Sequence, residues 1–510
     1  MLAKVNSYGL SGIQGYPVQV EIDISNGLPS YETVGLPDAA VKESKERVRS
    51  AIKNTGMEFP LQRITVNLAP ADMRKEGPIY DLPIAVGVLA ASGQLPEESV
   101  HDLLFLGELA LDGTVRPVNG VLPMLIAARK QGFSRIILPY ENTPEATFVP
   151  DMQVFPARTL NEIIDHLRAT TPIGKAKECS WEDVRDKDAM QGELARIRGQ
   201  AHAKRAAEIA AAGGHNLLLI GPPGSGKTML ARCMPSILPD LTFDEALEVT
   251  KIHSVAGVLP RSGGIVNRRP FRSPHHSIST AALTGGGRNI TPGEISLAHL
   301  GVLFLDELPE FKRDALEAMR QPLEDGIVTV ARVSGSASFP ARFMLVAAMN
   351  PCPCGHLGSE LQECKCTPLQ VLRYRNRISG PLLDRIDMHV EMRAVSYDEI
   401  TAKPSGDRSE TIRSRVNAAR ALQLERYKDD GIYFNAQLDT RLVDLYCTVG
   451  KEARDLLERA FHRLKLSARA YSRILKVART IADLEQSADI KIVHIAEAIQ
   501  YRCLDRDAQP

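Results

Sequence analysis

Hydrophobic and polar positions alternate along this chain in three successive styles. Over residues 1–168, strand-like runs (Val18–Ile24, Arg63–Leu68, Ile136–Pro139) are interleaved with helical stretches (Asp38–Asn54, Leu82–Ala91, Val121–Gln131), which predicts an α/β domain. Residues 169–193 lose this periodicity. They open on Thr-Thr-Pro-Ile-Gly-Lys and continue with mixed charge, the pattern of a linker. From Ile197 to Arg393 the runs become apolar on both faces, at Asn216–Ile220, Gly301–Leu305 and Phe343–Met349, as in a parallel sheet covered by helices. After Ser396, five stretches each carry one apolar stripe: Glu410–Tyr427, Thr440–Tyr446, Glu452–Leu464, Ser467–Leu484 and Ile492–Tyr501. They predict a small helical domain. The expected division is therefore 1–172, a linker at 173–195, 196–395 and 396–510.

Composition narrows the class. A chain of 510 residues with 44% hydrophobic residues can build several cores. Its 62 basic and 62 acidic residues balance, so contact with nucleic acid must be local. The start, MLAKVNSYGL, does not read as an export signal, and no run of about 18 apolar residues occurs. The expected setting is the cytoplasm, without a membrane partner.

Candidate chemistry begins after the run Asn216–Ile220. Gly221, Pro222, Pro223, Gly224, Ser225, Gly226, Lys227 and Thr228 spell G-x-x-x-x-G-K-T between a strand and a helix. Backbone N–H groups of such a loop curl around phosphates, the lysine reaches the β and γ oxygens, and the Thr228 hydroxyl can ligate Mg²⁺. A second apolar strand ends in Asp306–Glu307. There an aspartate can hold Mg²⁺ while the glutamate activates the attacking water. A third ends at Asn350, whose amide can lie between the loop and that water. Further on, Arg385 follows a turn, and Arg469 and Arg473 stand on one helix. Arginines near a γ-phosphate stabilise transition-state charge, although solvated helix charge is the alternative for each.

The order of P-loop, Asp306–Glu307, Asn350, Arg385 and Arg469 resembles AAA+ ATPases, in particular the magnesium-chelatase-like group. Within it, GPPGSGKTMLA, RPFRSPHHSIS, GVLFLDELPEF, MNPCPCG and RYRNRISGPLLDRID resemble the ComM/YifB family over nearly the whole chain. The resemblance implies ATP and Mg²⁺ as ligands and a hexameric ring. It implies Glu307, Lys227, Asn350, Arg385 and Arg469 as catalytic residues, with Asn350 the first sensor, Arg385 an arginine finger acting across a subunit interface, and Arg469 the second sensor. Arg473 competes for the last role. Ile197–Gln200 falls where relatives contact adenine.

The implied activity is branch migration of DNA during homologous recombination in natural transformation. The implied partners are single-stranded and branched DNA, further copies of the chain, and recombination proteins. A chelatase-type motor remodelling a protein partner is the competing reading.

Two insertions bear on the substrate. The segment 262–291 carries Arg268, Arg269, Arg272 and Arg288. The runs Val328–Arg332 and Ser338–Phe343, around Ser334-Gly335-Ser336, predict a hairpin with Arg332 and Arg342 flanking its tip. Arg288, Arg332 and Arg342 are the candidate DNA contacts, since arginines neutralise phosphates; a subunit interface is the alternative. His275–His276 has no further ligands in sequence and is assigned no chemistry.

Of eight cysteines, Cys352, Cys354, Cys364 and Cys366 form C-x-C-x₉-C-x-C. Four thiolates suit tetrahedral Zn²⁺, although the spacing is tighter than the common C-x₂-C. Reduced free thiols and a redox switch remain open alternatives.

The N-terminal run RKEGPIYDLPIAVGVLAASGQL and the following LGELALDGTVRPVNGVLPMLIAARKQGF resemble the Lon-type protease domain, which uses a serine and a lysine. Ile79 falls at the serine position and Met124 at the lysine position. Neither can do that chemistry, so protease activity is expected to be absent; Arg74 and Lys75 read first as a solvated charged loop, with contact to a phosphate backbone the alternative. The expected fold is an inactive Lon-protease-like α/β domain, a central AAA+ P-loop parallel-sheet domain and a C-terminal helical lid.

Overall fold

The structure, a computed structural model, describes residues 1–185, 192–259, 264–287, 290–332, 335–358, 362–401, 406–464, 466–502 and 504. It divides into two compact units. One comprises Met1–Lys187, Phe243–Asn267 and Ala331–Ser338; the other comprises Asp188–Thr242, Arg268–Val330 and Phe339–Pro510.

The first unit is built on a seven-stranded mixed sheet, in the order Ser30–Val34, Arg63–Ala69, Gln14–Ser25, Leu2–Ser11, Leu104–Phe105, Arg135–Pro139 and Gln153–Ala157. The two long strands Leu2–Ser11 and Gln14–Ser25 pair antiparallel, so Val18, Val20, Ile22 and Ile24 all reach the core at a period of two. The expected helices form. Asp38 lies outside its helix as the N-cap of Ala39–Asn54, accepting a hydrogen bond from Val41 N at 2.8 Å. Every residue of Asp81–Ala91 is buried, which explains its unbroken apolar run. The segment Phe243–Asn267, expected within 196–395, groups with this unit. Its helix Phe243–Val255 ends where Ser254 O accepts from Gly120 N at 3.0 Å.

The second unit holds a five-stranded parallel sheet in the order Phe271–Arg272, Val302–Leu305, Met344–Met349, Leu217–Ile220 and Met388–Glu391. The three continuous apolar runs read from sequence are its three central strands, buried on both faces as expected. Each Val, Leu, Ile, Phe or Met side chain among them contributes about 1.5–3 kcal/mol on burial.

Both strands beside Leu217–Ile220, Met344–Met349 and Met388–Glu391, follow it in sequence, and the loop after it opens at the carboxyl edge of the parallel sheet, where such sheets bind ligands. The helices Ser409–Arg426, Thr440–Tyr446, Lys451–Leu464, Ala468–Leu484 and Ile492–Gln500 follow the predicted stripes within one or two residues. They share one apolar core with the sheet: Val416, Ile474 and Ile481 belong to the same cluster as Leu217 and Val346.

Candidate functional site

The second unit gathers the nucleotide motifs at the carboxyl ends of three adjacent strands. Leu217–Ile220 runs into Gly221, where a Cβ would lie 2.5 Å from Met392 O, so only glycine fits the approach to the neighbouring chain. Gly226 takes φ +91°, a left-handed turn that starts the helix Lys227–Cys233. Lys227 Nζ donates to Gly221 O at 2.6 Å, to Pro222 O at 2.9 Å and to Asn350 Oδ1 at 3.2 Å. Burial pushes the Lys227 ammonium below the usual lysine value, while Asp306 and Glu307 oppose that shift. A cation folded onto carbonyl oxygens in this way can exchange them for phosphate oxygens, and Ser225 Oγ, buried without a partner among the described residues, is a further unsatisfied polar atom in the same loop.

Thr228 Oγ1 donates to Asp306 Oδ2 at 2.8 Å, and the Glu307 N–H donates to Asp306 Oδ1 at 3.0 Å. A hydroxyl and a carboxylate oxygen this close fit the hard oxygen donor set of Mg²⁺. Glu307 itself has φ +52°, a left-handed conformation that a glutamate adopts only at a cost and that is concentrated at functional sites. Its side chain is half-exposed, and Oε2 lies 3.5 Å from His276 Nδ1.

The arginines have other partners. Arg385 is buried; its Nη1 donates to Pro381 O at 2.6 Å, its Nη2 pairs with the Glu324 carboxylate, and its Nε has no partner among the described residues. Arg473 pairs with buried Asp387, whose carboxyl is held well below the usual carboxylate range by Arg473, His215 and the Asn216 N–H against the opposing effect of burial. Arg469 is exposed and lies 3.6 Å from Asp384 Oδ2.

Gln200, at the end of the Ile197–Gln200 segment, donates from its amide to Ser225 O at 3.3 Å and to Arg393 O at 2.7 Å, so it braces the phosphate loop.

The sequence reading changes at several positions. Lys75 is buried with its ammonium on the carbonyls of Pro70 and Met73, so it is removed from any phosphate; Arg74 faces Glu76 at 3.7 Å. Ile79 and Met124 are both buried apolar side chains. The hairpin strands are Ile327–Arg332 and Gly335–Pro340, because Ala337 and Phe339 point inward at a period of two and carry Gly335 and Ser336 into the strand. Arg342 therefore stands at the foot of the hairpin, beside Leu300 and His299, and not at its tip. Arg332 ends the first strand, and Arg288 lies outside the described residues. Of the other insert arginines, Arg269 is buried against the Leu300 carbonyl at 2.8 Å and Arg272 is paired with both oxygens of Glu294, at 2.6 and 2.7 Å.

His276 is a site residue that sequence reasoning left without a role, and Gln200, read from the resemblance as part of an adenine contact, braces the phosphate loop instead in this structure. A histidine pair in a glycine-rich insert carries no spacing signal toward a carboxylate some thirty residues later; only the position of Phe271–Arg272 beside Val302–Leu305 joins them.

Cys352, Cys354, Cys364 and Cys366 come together after Asn350, with their four sulfurs all within 4.8 Å of one another and none in a disulfide. Backbone N–H groups of His356 and Lys365 hold the Cys354 thiol low, at about 6.

Three family models match the chain: the magnesium chelatase subunit ChlI over residues 193–400, the subunit ChlI of Mg-chelatase over residues 20–142, and the ChlI C-terminal region over residues 406–502. The chain is 45% identical to the competence protein ComM of Haemophilus influenzae across 99% of its own length and 98% of that protein. Identity is also 45% to the protein YifB of Escherichia coli over the same shares. Lon protease 2 of Bacillus subtilis is 26% identical over 29% of the chain and 27% of that protease. No helix among the described residues is long and apolar enough to cross a membrane.

Proposed function

The chain belongs to the ComM/YifB family of magnesium-chelatase-like AAA+ proteins, and on that premise we propose that it is an ATP-hydrolysing motor, a hexameric helicase that drives branch migration of DNA in homologous recombination during natural transformation. The observation that carries the ATPase reading is the two hydrogen-bonded sets Lys227–Asn350 and Thr228–Asp306–Glu307, joined through the adjacent residues Lys227 and Thr228, at three adjacent strand ends. The competence name of its Haemophilus relative supports the pathway.

In this reading the loop Gly221–Gly226 and Lys227 hold the β- and γ-phosphates. Thr228 and Asp306 hold Mg²⁺, which draws charge from the phosphate oxygens. Glu307 takes a proton from water as its oxygen forms the new bond to the γ-phosphorus, and the bond to the β-phosphate oxygen breaks. Asn350 orients that water. Arg385 serves the neighbouring subunit's site: it is held by the half-exposed Glu324 and keeps an unpaired Nε, so another acidic or phosphate partner can draw it away. Arg469 is the second sensor, a role favoured by its exposure while Arg473 is committed to Asp387.

Arg288, Arg332 and Arg342 contact the backbone of single-stranded or branched DNA in the channel. The cysteine cluster holds Zn²⁺. Its setting is the cytoplasm, and recombination proteins are its partners.

The match to magnesium chelatase models favours a second reading, a motor that remodels a protein partner. Measuring ATP turnover with single-stranded, duplex and branched DNA separates the two. Stimulation by branched or single-stranded DNA is expected; stimulation by none of the three would remove the helicase reading and leave the chelatase-like one.

A further inference from the structure

The four cysteines occupy a segment with little to hold it. Residues 351–358 and 362–367 contain no helix or strand, yet Cys352 and Cys354 Sγ stand 3.4 Å apart, and Cys364 Sγ lies 3.7 Å from the first and 3.6 Å from the second. A tetrahedral Zn²⁺ with bonds of about 2.3 Å places its sulfurs roughly 3.8 Å apart. The observed separations therefore fit one metal ion and are too short to surround a cluster of several.

Both halves of the cysteine segment converge on the nucleotide site. On the first side, Cys352 is buried two residues beyond Asn350, and Gly355 N donates to Cys352 O at 3.0 Å to close the Cys-Pro-Cys-Gly turn. This turn lies flat on the phosphate loop: a Cβ on Gly355 would sit 2.7 Å from Pro223 Cδ and 4.0 Å from Asn350 Cγ. On the second side, Cys366 leads into Thr367, which caps the helix Pro368–Arg375. That helix carries Tyr374, which is buried; burial pushes its hydroxyl up to about 12, and the neighbouring Asn350 backbone opposes that shift.

We propose that Cys352, Cys354, Cys364 and Cys366 bind one Zn²⁺ as a tetrathiolate, and that this metal clamps Asn350 and Pro223 in position, so that ATP turnover depends on zinc loading. The inference rests on the ATPase reading above and adds a regulator to it. Zinc ties the end of the strand Met344–Met349 to the helix Pro368–Arg375, and the sensor amide is fixed between them. Because metal binding supplies the folding energy of a segment without its own secondary structure, loss of zinc or oxidation of the thiols loosens the sensor before it unfolds the sheet. Nucleotide affinity comes mainly from Lys227 and the loop backbone and is expected to survive. Catalysis depends on the position of Asn350 and is expected to fall.

The test uses the full-length protein purified without chelator. Elemental analysis is expected to find about one zinc per chain. Removing it with a thiol-directed mercurial and chelator, then reducing, is expected to lower kcat at least about tenfold with little change in the affinity for a fluorescent ATP analogue, and added Zn²⁺ restores the rate. Cobalt in place of zinc should give the visible absorption of a tetrahedral thiolate site. The variant Cys364→Ser/Cys366→Ser leaves Cys352 beside Asn350 intact and should reproduce the stripped protein, with helix content and thermal midpoint reporting that it folds. Protein that neither contains nor takes up zinc overturns the site. Bound zinc whose removal leaves kcat unchanged overturns the clamp while leaving the site. Untreated protein with no ATPase activity under any DNA condition refutes the underlying reading and the clamp with it, and the zinc content then still decides the site.

Discussion

Arg469 and Arg473 stand one turn apart on the helix Ala468–Leu484, and nothing in the run SARAYSRILKVAR separates their roles. Their surroundings do. Arg473 is paired with a carboxylate that is almost wholly buried, whereas Arg469 is exposed near Asp384. Removing one partner of a buried pair strands the other charge, so Arg473→Ala is expected to cost about 3–5 kcal/mol in chemical denaturation. Arg469→Ala should leave that stability unchanged and lower kcat. Equal destabilisation by both would erase the distinction. At the same scale, Glu307→Gln keeps the shape of the side chain and removes the base. ATP-analogue binding is expected to persist while turnover falls about 10²- to 10⁴-fold, measured by phosphate release.

At the scale of elements, the strand Leu217–Ile220 is anchored at its start by Asn216 and Asp387. Asn216 Oδ1 accepts from Leu345 N at 2.8 Å, Asn216 Nδ2 donates to Arg385 O at 3.0 Å, and Asn216 N donates to Asp387 Oδ2 at 2.9 Å. With Arg473 on the other side of Asp387, these bonds tie the strand leading to the phosphate loop, the segment bearing Arg385 and a C-terminal helix into one network. The Asp387 carboxyl is depressed in the folded state, so its contribution to stability is present above the unfolded carboxylate value of about 4 and is lost as pH falls below it. The expected result is a thermal-midpoint gap between the wild type and Asp387→Asn that is wide near neutrality and narrows below about pH 4. A gap that stays constant to lower pH would mean that the charge is not what stabilises this network.

For the whole molecule, a site completed in trans predicts complementation. Arg385→Ala and Glu307→Gln should each be nearly inactive alone. Mixed, they are expected to recover part of the ATPase rate, because some interfaces then pair an intact Glu307 with an intact Arg385. No recovery on mixing would argue that Arg385 acts within its own chain. The buried Ile79 and Met124 predict that casein is left intact with or without ATP.

Much of this molecule was legible in its sequence, and the reason is local. Strand–loop–helix continuity around Gly221–Thr228, apolar runs ending at Asp306 and Asn350, and stripes at helical spacing after Ser396 are each written within a few neighbouring residues, and the structure forms them within a residue or two. The substitution of serine and lysine chemistry by Ile79 and Met124 is equally local. What sequence did not disclose depends on which distant segments become neighbours. The strand Leu2–Ser11 was unread because its alternation breaks at the buried Ser7 and Tyr8, yet pairing with Gln14–Ser25 makes it central. Lys75 looked like a surface cation until folding carried it onto two backbone carbonyls. Strand order brought His276 to Glu307 and the cysteine turn onto Pro223, and packing of the helix Ala468–Leu484 brought Arg473 to Asp387. The chain by itself determined which chemical groups are present and which short elements carry them. Tertiary structure decided which of those groups are exposed, paired or poised, because burial and charge pairing are set by contacts between residues far apart in sequence.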